Sequence, residues 1–408
     1  MRRSLFVGSL VVSAALVLTA CTSSDSGSES TESSATANAS EAPASEAPAS
    51  EAPASEAPTG DTVAAAEPVC GTTVEEIAAA AQAEGQVNLI ALPDTWANYK
   101  GILESFRSTY GIEAPVANPD ASSADELTAV KTLAGQPDMP DALDIGPSFV
   151  QQASDEGLIA SYKTTNWDEI PDNLKGANGE WIGAYYGIMA IATNTTLVEN
   201  APKTWADLKK PEYKGMVTLN GDPREAGAAF AAVVAASLAN GGSYDDLMPG
   251  IEYFAELKKA GNLQTIDVTE AALLSGEVPI ALDWTYNFPG VKAQLAEVGF
   301  DMDVVVPSDG LYGSYYTQMP VANSPHPCGA RLWMEHITGN DGALGYLEGG
   351  AIPARFAAMQ EAGVIPADMM ANLPTAEQIA SISFPTMEQI DAMKAQLTEN
   401  WGPMVADA

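Results

Sequence analysis

Apolar residues recur along the chain in two alternating rhythms. Short continuous runs, Val87–Leu92, Ala142–Ile145, Ile188–Thr193, Met216–Leu219, Val278–Leu282 and Val304–Val306, read as β-strands buried on both faces. Between them, the spacing of apolar positions predicts helices over roughly Thr73–Ala83, Asn98–Tyr110, Ala124–Leu133, Arg224–Leu238, Tyr244–Lys259, Ala330–Ile337 and Met387–Leu397. Strands alternating with helices of this length predict an α/β fold whose sheets are mostly parallel and covered on both faces. The roughly 340 residues from Val69 onward suffice for two domains with ordinary cores.

The start of the chain follows neither rhythm. Arg2 and Arg3 precede an apolar run from Leu5 to Leu18, and Leu18-Thr19-Ala20-Cys21 follows. A basic start, a short apolar core and small residues before a cysteine are the pattern of a signal peptide over residues 1–20 with a lipobox, so Cys21 is expected to carry a lipid. The apolar run is too short to span a membrane comfortably. Residues 21–68 continue as a tether. From Thr22 to Pro68 there is no Lys, Arg or aromatic residue, and EAPAS starts at Glu41, Glu46 and Glu51 before EAPTG at Glu56. A segment this rich in Pro and Glu has too little apolar surface to form a core, and a disordered spacer is expected.

Charge narrows the classes of partner. The chain carries 18 basic and 54 acidic residues, a net charge of −36. Without the two signal arginines and the nine acids from Asp25 to Glu67, the body keeps 16 against 45, a net −29. So acidic a body disfavours nucleic acid as a partner, because phosphate binding needs a basic face. It points weakly to a cationic ligand. Once Cys21 is lipidated, Cys70 and Cys328 remain, and outside the cell such a pair is expected to form a disulfide.

Several segments carry a resemblance more specific than a fold class. They are TWADLKKPEYKGMVTLNGDPRE (Thr204–Glu225), ALDW ending at Trp284, DVVVPSDGLYGSYYTQMPVANSPHPCGARLWMEHI (Asp303–Ile337) and VNLIALPDTWANYKGILESFRSTYGI (Val87–Ile112). Together the chain resembles the extracellular solute-binding proteins of ABC importers, in the cluster that holds spermidine/putrescine binders and ferric-ion binders. The resemblance implies an α/β, two-lobed periplasmic-binding-protein fold of the type II, flytrap kind, with a central ligand cleft. By that analogy residues 69–187 plus 311–349 form lobe one and residues 188–310 plus 350–408 form lobe two. The hinge crossings then fall near Tyr186-Gly187 and Leu311–Ser314. The implied partners are a small-molecule solute, a transporter permease, and the outer face of the cytoplasmic membrane through the lipid anchor only. A monomer without cofactor or bound metal is expected.

The site candidates follow from position and from the resemblance together. Asp222-Pro223-Arg224-Glu225 reads as a helix start, with Asp at the cap, Pro at the first helical position and Glu in the first turn. Polyamine binders place an Asp-x-x-Glu here to hold the ligand's ammonium, and Asp222 and Glu225 match it. The same helix start suits a phosphate or carboxylate, with Arg224 as its charge partner. Trp284, after Asp283 at a strand end, stands where polyamine binders pack a Trp on the ligand. Asp94, Trp96 and Ser148 lie in strand-end loops, which in this architecture face the cleft. Tyr316 stands near the place of an aspartate that polyamine binders have and this chain lacks. Because neighbours on a strand point to opposite faces, at most one of Tyr315 and Tyr316 faces a ligand.

The favoured solute is thus an organic amine or polyamine-like cation. A phosphorylated or phosphonate-bearing solute and a ferric ion are the alternatives within the fold, although Trp284-Thr285 stands where ferric binders place paired tyrosines. A secreted hydrolase is the remote alternative. The chain has no G-x-S-x-G and no G-K-[ST], and neither of its two histidines, His326 and His336, has an obvious catalytic partner. Zinc held by His326, Cys328 and His336 lacks a fourth ligand, and Asp301-x-Asp303 does not continue as a calcium loop.

Overall fold

A computed structural model describes residues 69–407; the signal, lipobox and tether readings lie outside these residues. Among the described residues there are nine strands: β1 (Leu89–Ile90), β2 (Val116–Ala117), β3 (Ala142–Ile145), β4 (Ile182–Asn194), β5 (Val217–Leu219), β6 (Ile280–Trp284), β7 (Met302–Val305), β8 (Gly313–Pro320) and β9 (Ile352–Pro353). β1 and β2 form a small parallel pair. The other seven form a sheet with the path β3-β8-β4-β6-β5, to which β7 and β9 add by pairing with β4.

The axis of this arrangement is the 13-residue strand β4. From Ile182 to Ile188 it pairs with β8, and at Tyr185 and Tyr186 also with β9. From Met189 to Asn194 its partners are β6 and β7. One strand therefore belongs to two sheet regions, the geometry of two lobes joined by a crossing strand. β9 remains on the first half of β4, so the chain has not left that region at residue 350, where the return to lobe two was expected.

The expectation of mostly parallel sheets is overturned. β4 runs antiparallel to β6, β7, β8 and β9, and β3 antiparallel to β8. Within the large sheet only β5 and β6 are parallel strands. The reason is that strands crossing between lobes must run back against one another, whatever the βα alternation around them.

The helices form where the periodicity places them. Val74–Glu84 begins with a capping box between Thr73 and Glu76 and ends at Gly85 with φ of 91°, a left-handed position natural to glycine. The Ala-rich helix Gly227–Ala239 is apolar on every side and buried along nearly its whole length. Its small side chains let the helix Met248–Ala260 come close. A Cβ on Gly250 would stand 2.2 Å from the carbonyl oxygen of Val233. Cys70 and Cys328 are joined as a disulfide, which ties the first described residues to the helix Pro327–Thr338. Among the described residues no helix is long and apolar enough to cross a membrane.

Candidate functional site

A cleft of about 420 Å³ opens where strand-end loops from both halves of the sheet meet. Two hydrogen bonds join residues at its border. The amide of Ala124 donates to the carbonyl of Glu225 at 3.2 Å, and the Thr95 hydroxyl donates to Glu270 at 3.1 Å. Residues from before β4 thus meet residues from the β5–β6 region.

The cleft's charge has one sign. Asp120, Asp125, Glu126, Asp144, Asp222, Glu225, Asp267, Glu270 and Asp283 all border it, and no Lys, Arg or His does. Trp96 and Tyr316 supply aromatic wall, packed edge to face with centroids 5.3 Å apart.

The structure brings Asp222, Glu225, Asp283, Trp96 and Tyr316 together on this cleft. The local chain around Asp222 differs from the reading of a helix cap. Residues 223–225 form a turn, and the helix starts at Gly227 with Ala226 at its cap position. Asp222 instead accepts from the amide and guanidinium of Arg224, at 2.6 to 3.2 Å. Burial alone would raise the Asp222 carboxyl, but the hydrogen bonds and charge of Arg224 outweigh it and hold the group below its usual range. The Arg224 guanidinium is turned to this carboxylate and does not border the cleft.

Asp283 is buried and fixed by two donors, the Asn220 side chain at 2.9 Å and the Trp284 amide at 2.8 Å. Burial pushes its carboxyl up to about 6. Since Asp283 faces the cleft, the next residue of β6 points away. Trp284 is accordingly buried, stacked on Tyr286 with centroids 6.0 Å apart, and is not a wall of the cleft. The same alternation separates two neighbours on β8: Tyr316 borders the cleft while Tyr315 stacks on Trp181. Asp94 is exposed away from the cleft, and its neighbour Thr95 takes the bordering position. Ser148 is buried in the short helical turn Pro147–Phe149, also off the cleft.

The sequence reading missed Glu126 and Asp144. Both are buried, and the Glu126 carboxylate accepts the Asp144 amide at 2.9 Å. Burial pushes the Asp144 carboxyl up to about 7 and Glu126 well above the usual range, with the nearby Asp144 charge adding to the shift. The available signal was an acidic residue inside the otherwise apolar run Ala142–Ile145. Among the described residues no group of three or more His, Cys, Asp and Glu side chains is disposed to hold a metal ion. His336 is buried beside Phe106 and Trp333, and His326 pairs with Asp141 at 2.9 Å.

Comparison with known proteins agrees with this architecture. The spermidine/putrescine-binding periplasmic protein of Escherichia coli is 28% identical over 229 residues, 53% of this chain and 63% of that protein. The chain spans less than two thirds of the length of the curated relatives it matches. Among solved structures, the periplasmic binding protein AfuA of Actinobacillus pleuropneumoniae, with fructose-6-phosphate bound, superposes with a TM-score of 0.63 at 16% identity, covering 79% of this chain and 98% of that one. Iron-bound HitA of Pseudomonas aeruginosa gives 0.58 at 19% identity, over 78% and 99%. Identities this low speak for the two-lobed fold alone. The family described as bacterial extracellular solute-binding protein matches residues 138–381, which carry the crossing strand, β5 to β8 and most of the acidic cleft, and the chain belongs to that family.

Proposed function

We propose that the protein captures a small organic cation, an amine or polyamine-like solute, outside the cytoplasmic membrane and delivers it to an ABC importer. The observation that carries this reading is the cleft's acidity: nine Asp and Glu side chains border it without a basic side chain among them. A cation entering it replaces lost hydration with charge-assisted hydrogen bonds. An anion would meet uncompensated repulsion in a partly desolvated space. Asp222, Glu225 and Asp283 are the ammonium partners in this reading, with Trp96 and Tyr316 as the faces against which an alkyl stem or cation packs. The phosphate alternative relied on the helix start after Asp222 with Arg224 as its charge partner; the start of the helix Gly227–Ala239 borders the cleft, but Arg224 does not, and acidic side chains stand in its place. The E. coli relative, named for spermidine and putrescine, supports the amine class.

In the same reading Cys21 anchors the protein by a lipid, binding is its whole chemistry, and a permease is its protein partner. Native mass spectrometry and thermal-shift screening against amines, phosphonates, sugar phosphates and ferric ion test the ligand class. Stabilisation by amines alone is the expected result; stabilisation by a phosphorylated solute overturns it. Replacing Cys21 with Ser is expected to release the protein into the medium.

A further inference from the structure

The crossing strands have a second face, opposite the cleft. Tyr185 pairs with Tyr316 across β4 and β8, and Tyr316 borders the cleft. The neighbouring pair, Tyr186 with Tyr315, therefore points to the other side. Phe384 covers that pair. Its ring stands edge to face on Tyr186, with centroids 5.5 Å apart, and on Tyr315 at 5.4 Å. Two residues earlier, Ile382 lies over Gly313, the first residue of β8, so closely that a Cβ on Gly313 would stand 2.7 Å from Ile382 Cγ2. The segment that carries these side chains is fixed on both sides of the hinge. On one side, Ile379 packs in the apolar cluster of Ala343 and Leu347, from the helix Asn340–Glu348. That helix is tied to the chain before β4, because the Asn98 amide donates to the Gly345 carbonyl at 3.1 Å. On the other side, the Tyr244 hydroxyl donates to the Ser383 carbonyl at 2.5 Å, and Gln389 Nε2 donates to Asp245 Oδ1 at 3.1 Å. Tyr244 and Asp245 lead into the helix Met248–Ala260, which packs on the Ala-rich helix that opens at the cleft. The segment thus straps the two lobes together behind the strands that join them.

We propose that Ile382 and Phe384 form a wedge behind the hinge, which biases the empty cleft toward closure whatever the solute is. Lobes that part at the cleft approach one another on the opposite face of the crossing strands. Here that face is filled, and packed side chains do not compress. Opening therefore has to lift the strap from Tyr186, Tyr315 and Gly313, giving up two edge-to-face ring pairs. The cost of opening is set at a place that no solute in the cleft touches. A solute that binds the closed form gains apparent affinity in proportion to the fraction already closed, so the wedge raises affinity without a contact of its own. The inference goes beyond the amine reading and does not depend on it.

Closure has its own reporter in the Ala124 amide. It stands at the second position of the helix Ser123–Thr132, where no partner exists within the helix, and donates instead to the Glu225 carbonyl at 3.2 Å. Hydrogen exchange of the full chain without solute, read at Ala124 and at Val130 of the same helix, tests the wedge. In the wild type the Ala124 amide is expected to be protected. Phe384→Ala is expected to accelerate its exchange by about tenfold, the scale of one or two edge-to-face ring pairs, and to leave Val130 unchanged. A wild-type Ala124 that exchanges as freely as an exposed amide, an unchanged rate in the variant, or acceleration of Val130 by the same factor each overturns the proposal. If Phe384→Ala does not fold, Ile382→Ala relieves the same face at Gly313 and is expected to act in the same direction; an unchanged Ala124 rate there also overturns it. All of these outcomes are read without solute, so they leave the amine reading to its own screen.

Discussion

Gly146 and Gly227 meet backbone to backbone: a Cβ on Gly146 would stand 2.9 Å from the Gly227 Cα, and one on Gly227 would stand 3.0 Å from the Gly146 Cα. Gly146 follows β3, and Gly227 opens the Ala-rich helix at the cleft's edge. Neither has a positive φ, so the requirement for glycine here is one of close approach. The contact brings the turn after β3 against the helix start that follows β5.

A wedge at this contact should act on closure rather than on folding. Gly146→Val is expected to weaken amine affinity by roughly tenfold or more, because only a closed cleft presents all its carboxylates at once. Thermal unfolding without ligand should change little by comparison. Calorimetry paired with small-angle scattering checks this: the variant should stay expanded when ligand is added, and a variant that compacts and binds as the wild type does would remove the role of this contact.

The buried carboxyls make stability depend on pH in a direction opposite to most acidic proteins. Asp144 is raised from 3.8 to about 7 and Asp283 from 3.8 to about 6, both chiefly by burial. A carboxyl raised in the folded state holds its proton more tightly there than in the unfolded chain. It therefore contributes stability below about pH 4, and loses that contribution as pH rises through about 6 to 7. Without ligand, Asp144→Asn and Asp283→Asn should each flatten the decline in melting temperature across this window. Amine affinity should run the other way, strengthening from pH 5 to pH 8 as the two groups ionise. A binding profile flat over that range would argue against contact with either carboxylate.

Reduction of the Cys70–Cys328 bond should lower stability while leaving binding alone. The closed loop spans 258 positions, and the chain-entropy account assigns a loop of such length roughly 5 to 6 kcal/mol. Neither cysteine borders the cleft. Melting with and without reductant, followed by an amine titration of the reduced protein below its transition, separates the two effects.

Much of the architecture was legible because it depends on local pattern. The run Ala142–Ile145 is a strand with those bounds, and each helix read from the spacing exists, shifted by a few residues. Strand direction was not legible, since it is set by contacts far apart in sequence. β8 was absent from the strands read from apolar runs, because Gly313, Ser314 and two tyrosines carry no such run, and only the resemblance placed a crossing there; all eight of its residues are buried. Among the site residues, Asp222, Glu225 and Asp283 stood out as acids at loop and strand ends. Asp144 did not, because the donors that justify a charge inside β3 come from Tyr99 and Tyr185, on other elements. The helix start after Asp222 misled for a related reason. The carboxylate that would cap it is occupied by Arg224, and the helix waits until Gly227, where the chain can pass Gly146.

The pairing of Arg224 with Asp222 gives a test of the sign of the bound group. If a cation is bound, Asp222→Ala and Glu225→Ala each remove a charge-assisted hydrogen bond worth roughly 1.5 to 3 kcal/mol, or about tenfold to a hundredfold in affinity. Arg224→Ala should then be mild or favourable, because it frees Asp222 from the partner that shares its oxygens. If an anion is bound, the pattern inverts: the carboxylate variants relieve repulsion and Arg224→Ala does the damage. Lys394 strengthens the contrast. It donates to the Arg224 carbonyl at 2.8 Å and lies 3.5 Å from the centre of the Phe149 ring, and burial lowers its ammonium to about 8. It is thus held behind the Asp222 turn, off the cleft's border. Lys394→Met should consequently strengthen amine binding slightly by removing a nearby positive charge. Calorimetry on these four variants with one diamine decides the sign, and a loss of affinity confined to Arg224→Ala and Lys394→Met would replace the cation with an anion.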